Sequence, residues 1–235
     1  MITIENVETC GWGPALRGMR NPKNSWDKSD SDWEFVEDPS IINPNDEVKF
    51  VMGHNDLTLA TDLAKGGPVH AKYRRMITVY LDITAPLYWW KEFDTYKVGT
   101  VANSCSTMHT IHKRDLTFDD FACEHLSQTN RNLLEMIIRN INVARQDFIE
   151  AADATSAKNA WWQMIQLLPS SFLQKRTVQL NYEVLYNIYH SPRYNHKLDE
   201  WRVFCEWIKT LPYAEYLIID PTKLEYEEAH NPVSI

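Results

Sequence analysis

The clearest pattern of apolar and polar positions lies at residues 76–83, where side chains of the two kinds alternate. The apolar positions are Ile77, Val79, Leu81 and Ile83. A period of two is typical of a β-strand with one face in the core and the other in water. The sequence therefore predicts a half-buried strand over 76–83, and a shorter strand over residues 2–9.

Elsewhere, apolar side chains recur every three or four residues, which is the period of an amphipathic helix. The strongest run consists of Leu133, Leu134, Ile137, Ile138, Ile141, Ala144 and Phe148. Similar runs predict helices over 57–65, 153–168, 181–189 and 196–210. The expected fold class is α/β (α+β), with a helix-rich C-terminal half. One domain, 1–235, would contain a small, mainly antiparallel sheet packed by the helices of 119–210.

Two stretches show no apolar period. Residues 11–45 are rich in Gly, Pro, Asn, Ser and Asp and contain three tryptophans, so we expect a long irregular aromatic loop. The tryptophans either pack on a neighbouring subunit or form a satellite cluster on their own domain. Residues 221–235 are acidic and polar and predict a mobile or partner-bound tail.

Composition narrows the possible functions. Of the 235 residues, 44% are hydrophobic and 24% are charged, which is typical of a globular protein. The formal net charge of −8, without a Lys/Arg run, argues against binding to a nucleic acid backbone. The cysteines are scattered, which favours free thiols in a reducing cytosol. No secretion signal or membrane-spanning run is visible, so we expect a soluble, cytoplasmic protein.

The sequence lacks the common signatures of hydrolases, NTPases, dinucleotide-binding enzymes and zinc enzymes. His109 and His112 could share a metal on a helix, but no third ligand follows at a suitable spacing, and we expect no metal site. Cys105 lies near His109 in sequence, which suits either a nucleophilic thiol or a packed, ligand-lining thiol. Residues 100–107 are rich in hydroxyl and amide groups suited to hydrogen-bonding an oxygen-rich ligand.

Basic residues flank the predicted central strand on both sides. They are His70, Arg74 and Arg75 before it, and Lys91 and Lys97 after it. These residues either form an anion-binding cluster at one edge of the fold or pair with the excess of acidic residues. The aromatic segment 88–96 mixes charges with large rings and indicates a pocket wall or a subunit interface.

From Leu57 to about Pro212, the order of features resembles the flavin-dependent thymidylate synthases, the thymidylate-synthase-complementing family. The matching segments are Val69-His70-Ala71-Lys72-Tyr73, Ala85-Pro86, Lys91-Glu92, Leu168-Pro169 and Asn181-Tyr182-Glu183-Val184-Leu185. Thr95-Tyr96-Lys97 falls on the family's arginine-histidine-arginine signature, and Cys105 falls on a serine downstream of it. Only Lys97 keeps the charge of a signature arginine, and Glu183 stands where the family has another arginine.

The resemblance implies a ThyX-like α/β fold and a homotetramer that binds FAD and dUMP between its subunits. It also implies reductive methylation of dUMP at uracil C5, with methylenetetrahydrofolate as the carbon source and NADPH as the reductant of the flavin. By position in the motifs, it assigns nucleotide binding to Lys91, Glu92, Thr100, Cys105 and Arg193. It assigns cofactor binding to His70, Arg74, Lys97 and Asn103.

Three functions remain open, and no catalytic residue is assigned. The chain is a divergent ThyX-like enzyme or nucleotide modifier, a non-catalytic nucleotide-binding protein, or an oligomeric interaction protein that uses the aromatic loop and the tail. If a flavin or a nucleotide binds at the matched segment, six side chains should converge on one cavity. They are His70, Lys91, Glu92, Lys97, Thr100 and Cys105.

Overall fold

The structure is a computed structural model that describes residues 2–35, 48–96, 98–191, 193 and 195–230. The strands in these ranges are β1 (Thr3–Cys10), β2 (Asp32–Phe35), β3 (Val48–Val51), β4 (Thr78–Pro86), β5 (Val101–Ser104) and β6 (Leu173–Asn181). The α-helices are α1 (Trp12–Arg20), α2 (His54–Lys65), α3 (Leu87–Phe93), α4 (Thr107–Thr110), α5 (Gln128–Ile149), α6 (Ala154–Leu167), α7 (Tyr182–Tyr189), α8 (Asp199–Ile208) and α9 (Lys223–His230). The fold class predicted from the sequence is confirmed.

The central sheet is small and antiparallel, with the strand order β1-β4-β6-β5. β4 confirms the predicted central strand, shifted by two or three residues towards the C-terminus. Its apolar face is buried because Val79, Leu81 and Ile83 all point into the core. β1 likewise confirms the strand predicted over residues 2–9.

The chain divides into two compact units. Unit 1 comprises Met1–Val7, Leu81–Lys97 and Val101–Val178, and unit 2 comprises Glu8–Tyr80, Val98–Thr100 and Gln179–Ile235. β1, β4 and β6 contribute residues to both units.

Unit 1 contains the helical hairpin α5–α6, which matches two of the predicted helices. Asp153 begins α6 because its carboxylate accepts hydrogen bonds from the backbone N–H groups of Thr155 (2.8 Å) and Ser156 (2.9 Å). The hairpin packs over an apolar core formed by Ile111, Leu116, Phe121, Leu134, Ile138, Ile141, Ala144 and Met164.

The aromatic segment that suggested a pocket wall or an interface is largely core. It forms α3, in which Trp89, Trp90 and Phe93 are almost fully buried. The Trp89 ring stacks on Phe93 with the centroids 5.1 Å apart, and Trp90 meets Phe93 edge-on at 5.4 Å. Burial within unit 1 therefore accounts for most of the aromatic density in this segment.

Unit 2 contains α1, α2, α7 and α8 together with the antiparallel pair β2–β3. Trp12 of α1 is buried in its centre, where it stacks on Phe50 at 5.4 Å and meets Tyr182 edge-on at 5.4 Å. Asn181 begins α7 by accepting hydrogen bonds from the N–H groups of Glu183 and Val184, both at 3.1 Å. α2, α7 and α8 confirm the remaining predicted helices.

The predicted irregular loop is wrong in its first part, because residues 12–20 form α1. Gly11 precedes this helix with φ at +87°, and a Cβ there would lie 2.0 Å from the carbonyl oxygen of Met76. Gly13, Pro14 and Gly18 inside the helix obscured its apolar face, which includes Leu16 and Met19. Residues 36–45 of the predicted loop lie outside the described residues.

Two other expectations need correction. The helical region expected over 119–210 is interrupted by β6, which the sequence pattern did not reveal. The tail, predicted to be mobile or bound to a partner, forms helix α9 over 223–230, and Glu225 of this helix pairs with Lys65 of α2. An irregular mobile chain is therefore wrong for residues 223–230, whereas binding of the tail to a partner stays a prediction. Residues 231–235 lie outside the described part.

None of the helices in the described ranges combines the length and apolar character needed to cross a membrane. The cysteine thiols are free, as expected from their scattered positions. Cys205 is buried, and its burial raises its pKa to about 11.

Candidate functional site

A groove of about 290 Å³ in unit 1 is lined by Cys105, one of the predicted nucleotide contacts, and by other polar side chains. It lies where the first residues of β6 face Thr84 of β4 and the segment that follows β5. Most of its lining residues have polar side chains, which supply hydroxyl, thiol, amide, acidic and basic groups. The polar residues that line it include Cys105, Thr107, Thr110, Arg114, Asp120, Gln174 and Lys175.

Main-chain and side-chain hydrogen bonds fix Cys105 at one wall of the groove. Its backbone N–H donates to the carbonyl oxygen of Lys175 (2.9 Å). The Gln174 amide Nε2 donates to the carbonyl oxygen of Cys105 (3.2 Å) and to Thr107 Oγ1 (3.4 Å). Because the Thr107 hydroxyl accepts there, its own O–H stays available to donate to a ligand.

Behind this wall, Arg176 links the groove to the end of α3. Its Nε donates to Gln174 Oε1 (3.0 Å), and its Nη1 lies 3.2 Å from Asp94 Oδ1. The guanidinium sits 4.2 Å from the centroid of the Trp90 ring, within cation–π distance. Trp90 Nε1 in turn donates to the carbonyl oxygen of Gln174 (2.9 Å). The network therefore holds the Gln174 amide in one orientation.

Arg114 and Asp120 form a two-pronged ion pair on the groove wall. Arg114 Nη1 lies 2.8 Å from Asp120 Oδ2, and its Nη2 contacts Asp120 Oδ1. Burial opposes ionisation of Asp120, but the hydrogen bonds from Arg114 and from the backbone N–H of Thr117 outweigh it and lower its pKa. The pair is ionised at neutral pH, and the carboxylate neutralises the arginine.

Lys175 is also neutralised by carboxylates. Its Nζ lies 3.1 Å from Glu5 Oε2 and 3.3 Å from Asp82 Oδ2. Asp82 accepts further hydrogen bonds from Thr177 Oγ1 (2.6 Å) and Asn6 Nδ2 (2.9 Å), and these bonds lower its pKa. Both cations of the groove therefore belong to ion pairs.

An adjoining cavity of about 370 Å³ shares Thr107, Thr110, Arg114 and Phe172 with the groove and adds Lys113. Lys113 is exposed, and its amine has no hydrogen-bond or ion-pair partner among the described residues. It is therefore a free positive charge in the wall of the combined space.

The structure places the predicted unit 1 residues at different points. Cys105 lines the groove, whereas Lys91 and Glu92 lie on α3 and do not line it. Lys91 is exposed to solvent, and Asn103 is exposed on β5. Lys97 lies outside the described residues. Of the unit 1 candidates, Cys105 alone among those described contributes to this groove.

The predicted residues of unit 2 are also dispersed. His70 lines a cavity of about 340 Å³ whose wall is mostly apolar and includes Lys72 and Met76. The Arg193 guanidinium lies 4.6 Å from the Trp201 ring centroid. Thr100 has a buried hydroxyl oxygen without a hydrogen-bond partner in the described part of the chain. His70 and Cys105 thus line different cavities.

Arg74, predicted to bind a cofactor, is 2% exposed and lies against residues of α7. Its Nη1 is 3.9 Å from Glu183 Oε2, and its guanidinium lies 4.2 Å from the Tyr186 ring centroid. Glu183 occupies the motif position at which the resemblance expects an arginine. An acid at this position therefore pairs with a buried arginine inside unit 2.

The residues that build the groove were missed because their partners are distant in sequence. Gln174 and Cys105 are separated by 69 positions, and Arg176 and Asp94 by 82. One local signal was available: Thr117 and Asp120 have the spacing of a capping box, which the structure contains. In the described part of the chain, no group of three or more His, Cys, Asp or Glu side chains could hold a metal ion.

This arrangement of a small antiparallel sheet and packed helices is a divergent form of the ThyX fold, the fold of flavin-dependent thymidylate synthases. The crystal structure of Thymidylate Synthase X (ThyX) from Helicobacter pylori with FAD and dUMP matches with a TM-score of 0.62 and 15% sequence identity. The match covers 94% of this chain and 98% of that chain. The fold implied by the sequence resemblance is therefore confirmed.

A UMP/dUMP methylase, PolB from Streptomyces cacaoi, bound with 5-Br dUMP, matches with a TM-score of 0.55 and 15% identity. That match covers 100% of this chain and 98% of that chain. No protein-family model matches the sequence, and no curated protein matches it either.

Proposed function

We propose that this protein binds a dUMP-like pyrimidine nucleotide. The observation that carries the proposal is a fold match over 94% of this chain and 98% of a ThyX structure solved with FAD and dUMP. The match to a UMP/dUMP methylase solved with 5-Br dUMP supports the same ligand class. Both matches extend over nearly the whole of each chain, which favours a shared ligand-binding arrangement over a shared fragment.

The groove of unit 1 fits such a ligand. Together with the adjoining cavity it has the size of a small-molecule site, which is roughly 300–1,000 Å³ in proteins. The Thr107 hydroxyl can donate to a pyrimidine carbonyl, and Lys113 can contact a phosphate. Cys105, which lines the groove, is a proposed nucleotide contact, and Lys91, Glu92, Thr100 and Arg193 remain predicted nucleotide contacts.

FAD is the proposed cofactor, because ThyX structures with this fold were solved with FAD. The cavity at His70 suits part of it, since apolar walls can contact a flavin ring and two basic side chains, His70 and Lys72, can contact phosphates. Arg74, Lys97 and Asn103 remain predicted cofactor contacts. With flavin bound, the proposed reaction is reductive methylation of dUMP or a related nucleotide modification, and the proposed assembly is a homotetramer.

A second candidate is a nucleotide-binding protein of the same fold that performs no methylation. It is favoured by the charge pairing in the site: Arg114 and Lys175 each contact carboxylates, and Thr95 and Tyr96 replace two residues of the basic signature. Catalysis through such a site would lack the free arginines that can polarise a pyrimidine ring.

Calorimetric titration of the purified chain with dUMP, UMP and FAD tests the binding proposal. Lys113→Gln should weaken dUMP binding by about tenfold or more, since a charge-assisted contact is worth about 1.5–3 kcal/mol. Lys158→Gln, an exposed lysine on α6 that does not line the groove, is the matched control and should bind like the wild type. Failure of dUMP and UMP to bind at millimolar concentration would overturn the proposal.

Two further measurements separate the candidate functions. A flavin absorbance band in the purified protein, or FAD retained in a native mass spectrum, would support the cofactor, and the same spectrum reports the number of subunits. Deuterium release from C5-labelled dUMP with methylenetetrahydrofolate and NADPH would support the enzyme. Nucleotide binding without release would support the non-catalytic protein.

A further inference from the structure

A second cavity of about 180 Å³ in unit 2 shares no lining residue with the groove. We call it the aromatic cleft, after its rings Trp26, Trp33 and Phe50. Trp26 and Trp33 are 51% and 52% exposed, which is a large hydrated area for two indole rings in one small region.

The rings of the cleft are held in place by the core of unit 2. Trp33 meets Phe50 edge-on at 5.3 Å, and Phe50 stacks on the buried Trp12 at 5.4 Å with the ring planes only 11° apart. Trp26 is fixed at its other end, because its Nε1 donates to Asn21 Oδ1 (2.8 Å). The cleft is therefore preformed, and a ring entering it would cost little reorganisation.

The basic residues of the cleft differ in their pairing. Arg20 is buried and bound to Asp56 through its Nε (2.6 Å), so its charge is neutralised. Arg17 is exposed and has no hydrogen-bond or ion-pair partner among the described residues. The Arg17 guanidinium lies next to Gly13, because a Cβ added at Gly13 would be 3.8 Å from Arg17 Nη1. Both residues line the cleft. The cleft thus presents one unneutralised guanidinium beside its rings.

We propose that the aromatic cleft binds a planar aromatic anion, meaning one flat ring system that carries a carboxylate or a phosphate. The ring would contact the exposed faces of Trp26 and Trp33, and the anionic group would contact Arg17. The volume is sufficient, because a cavity of roughly 150 Å³ holds a benzene ring. The Asp32 carboxylate also lines the cleft and accepts from the backbone N–H of Trp33 (2.8 Å), a bond that leaves its negative charge in place. The anionic group must therefore contact Arg17 on the side away from Asp32.

Ligand-detected NMR and calorimetry on the full chain test this with matched probes. Benzoate has the ring and the charge, benzyl alcohol has the ring only, and acetate has the charge only. AMP and adenosine form the corresponding pair for a phosphate-bearing source. We expect benzoate or AMP to bind at least fivefold more tightly than its neutral partner, and acetate not to bind.

Variants assign the binding to the cleft. Arg17→Gln should remove the preference for the anion and leave benzyl alcohol binding unchanged, whereas Trp33→Leu should weaken both ring probes. Lys23→Gln and Trp162→Leu, an exposed lysine and a partly exposed tryptophan that do not line the cleft, are the controls. Equal binding of charged and neutral probes, an unchanged preference in Arg17→Gln, or no ring binding at millimolar concentration would overturn the proposal. Binding of AMP but not benzoate would identify a nucleotide as the source of the anion.

Discussion

Replacement of Asp56 by asparagine should destabilise unit 2 strongly. Asp56 is fully buried, with 0% exposure, and its carboxylate is a junction of four hydrogen bonds. Oδ1 accepts from Arg20 Nε (2.6 Å). Oδ2 accepts from the hydroxyls of Ser29 and Ser31, both at 2.6 Å, and from the backbone N–H of Asp30 (3.3 Å). The carboxylate therefore ties α1 and residues 29–31 to α2.

The magnitude follows from what asparagine can still do. Asparagine keeps one acceptor oxygen, and the serine hydroxyls can rotate to accept from its NH₂ group. The Arg20 guanidinium, which is almost fully buried, would lose the charge that neutralises it. Breaking one side of a buried ion pair costs about 3–5 kcal/mol, so we expect a loss near the lower end, about 3 kcal/mol.

Urea unfolding followed by tryptophan fluorescence measures this loss. Asp27→Asn, an exposed carboxylate in the same segment, is the control and should change the free energy of unfolding by less than about 0.5 kcal/mol. A loss below about 1 kcal/mol for Asp56→Asn would refute the argument that a buried charge pair holds this part of unit 2.

Three further results are expected. Stability should fall as the pH drops below 3.8, the ordinary pKa of an aspartate. Because the pKa of Asp56 is lower in the folded protein, its stabilising contribution is complete above pH 3.8 and is lost as the folded carboxyl protonates. A pH series of thermal midpoints should therefore be flatter for Asp56→Asn than for the wild type. Gly53→Ala should cost about 1–3 kcal/mol in urea unfolding, because a Cβ there would lie 2.2 Å from Asp30 Cγ, whereas an unchanged midpoint would contradict the packing. Arg176→Met should alter the near-ultraviolet circular dichroism of the Trp90 environment and lower stability by about 1–2 kcal/mol, and Arg202→Met on the surface should do neither.

The elements predicted correctly are those whose burial is visible in the local pattern. β4 alternates because one face is buried, and α5 shows its apolar stripe over several turns. The sequence pattern does not predict β6, because residues 174–177 are four polar residues in succession and show no alternation of apolar and polar positions. In the structure, Gln174 and Arg176 are instead satisfied by partners in other elements. Contacts with residues distant in sequence do not alter the local spacing of apolar residues, so the sequence pattern cannot reveal them.

The same reason limits prediction of the site. The hydroxyl and thiol run that contains Cys105 and Thr107 was predicted to face a ligand, and both residues do line the groove. The residue that orients them, Gln174, comes from a strand that the pattern did not predict. Glu183 shows the reverse case, because a motif comparison detected the exchanged charge and the structure supplied its partner, Arg74.

Charge pairing in the groove leads to a prediction that separates nucleotide binding from mere fold conservation. Arg114 lines the groove and its adjoining cavity but is neutralised by Asp120, so a bound phosphate would compete with that carboxylate. Asp120→Asn keeps an oxygen that can accept from Thr117 N–H, yet it removes the competing charge. A like charge about 4 Å away costs about 1 kcal/mol in water, which corresponds to roughly fivefold in affinity.

Asp120→Asn should therefore bind dUMP roughly fivefold more tightly than the wild type and bind deoxyuridine, which lacks the phosphate, with unchanged affinity. Calorimetric titration of both ligands measures the difference, and Asp199→Asn, which removes an exposed acid paired with Arg202, serves as the control. Weaker dUMP binding by Asp120→Asn would mean that the Arg114–Asp120 ion pair maintains the geometry of the site, and that Asp120 does not compete with the phosphate for Arg114. An equal gain for deoxyuridine would show that the phosphate does not lie at Arg114.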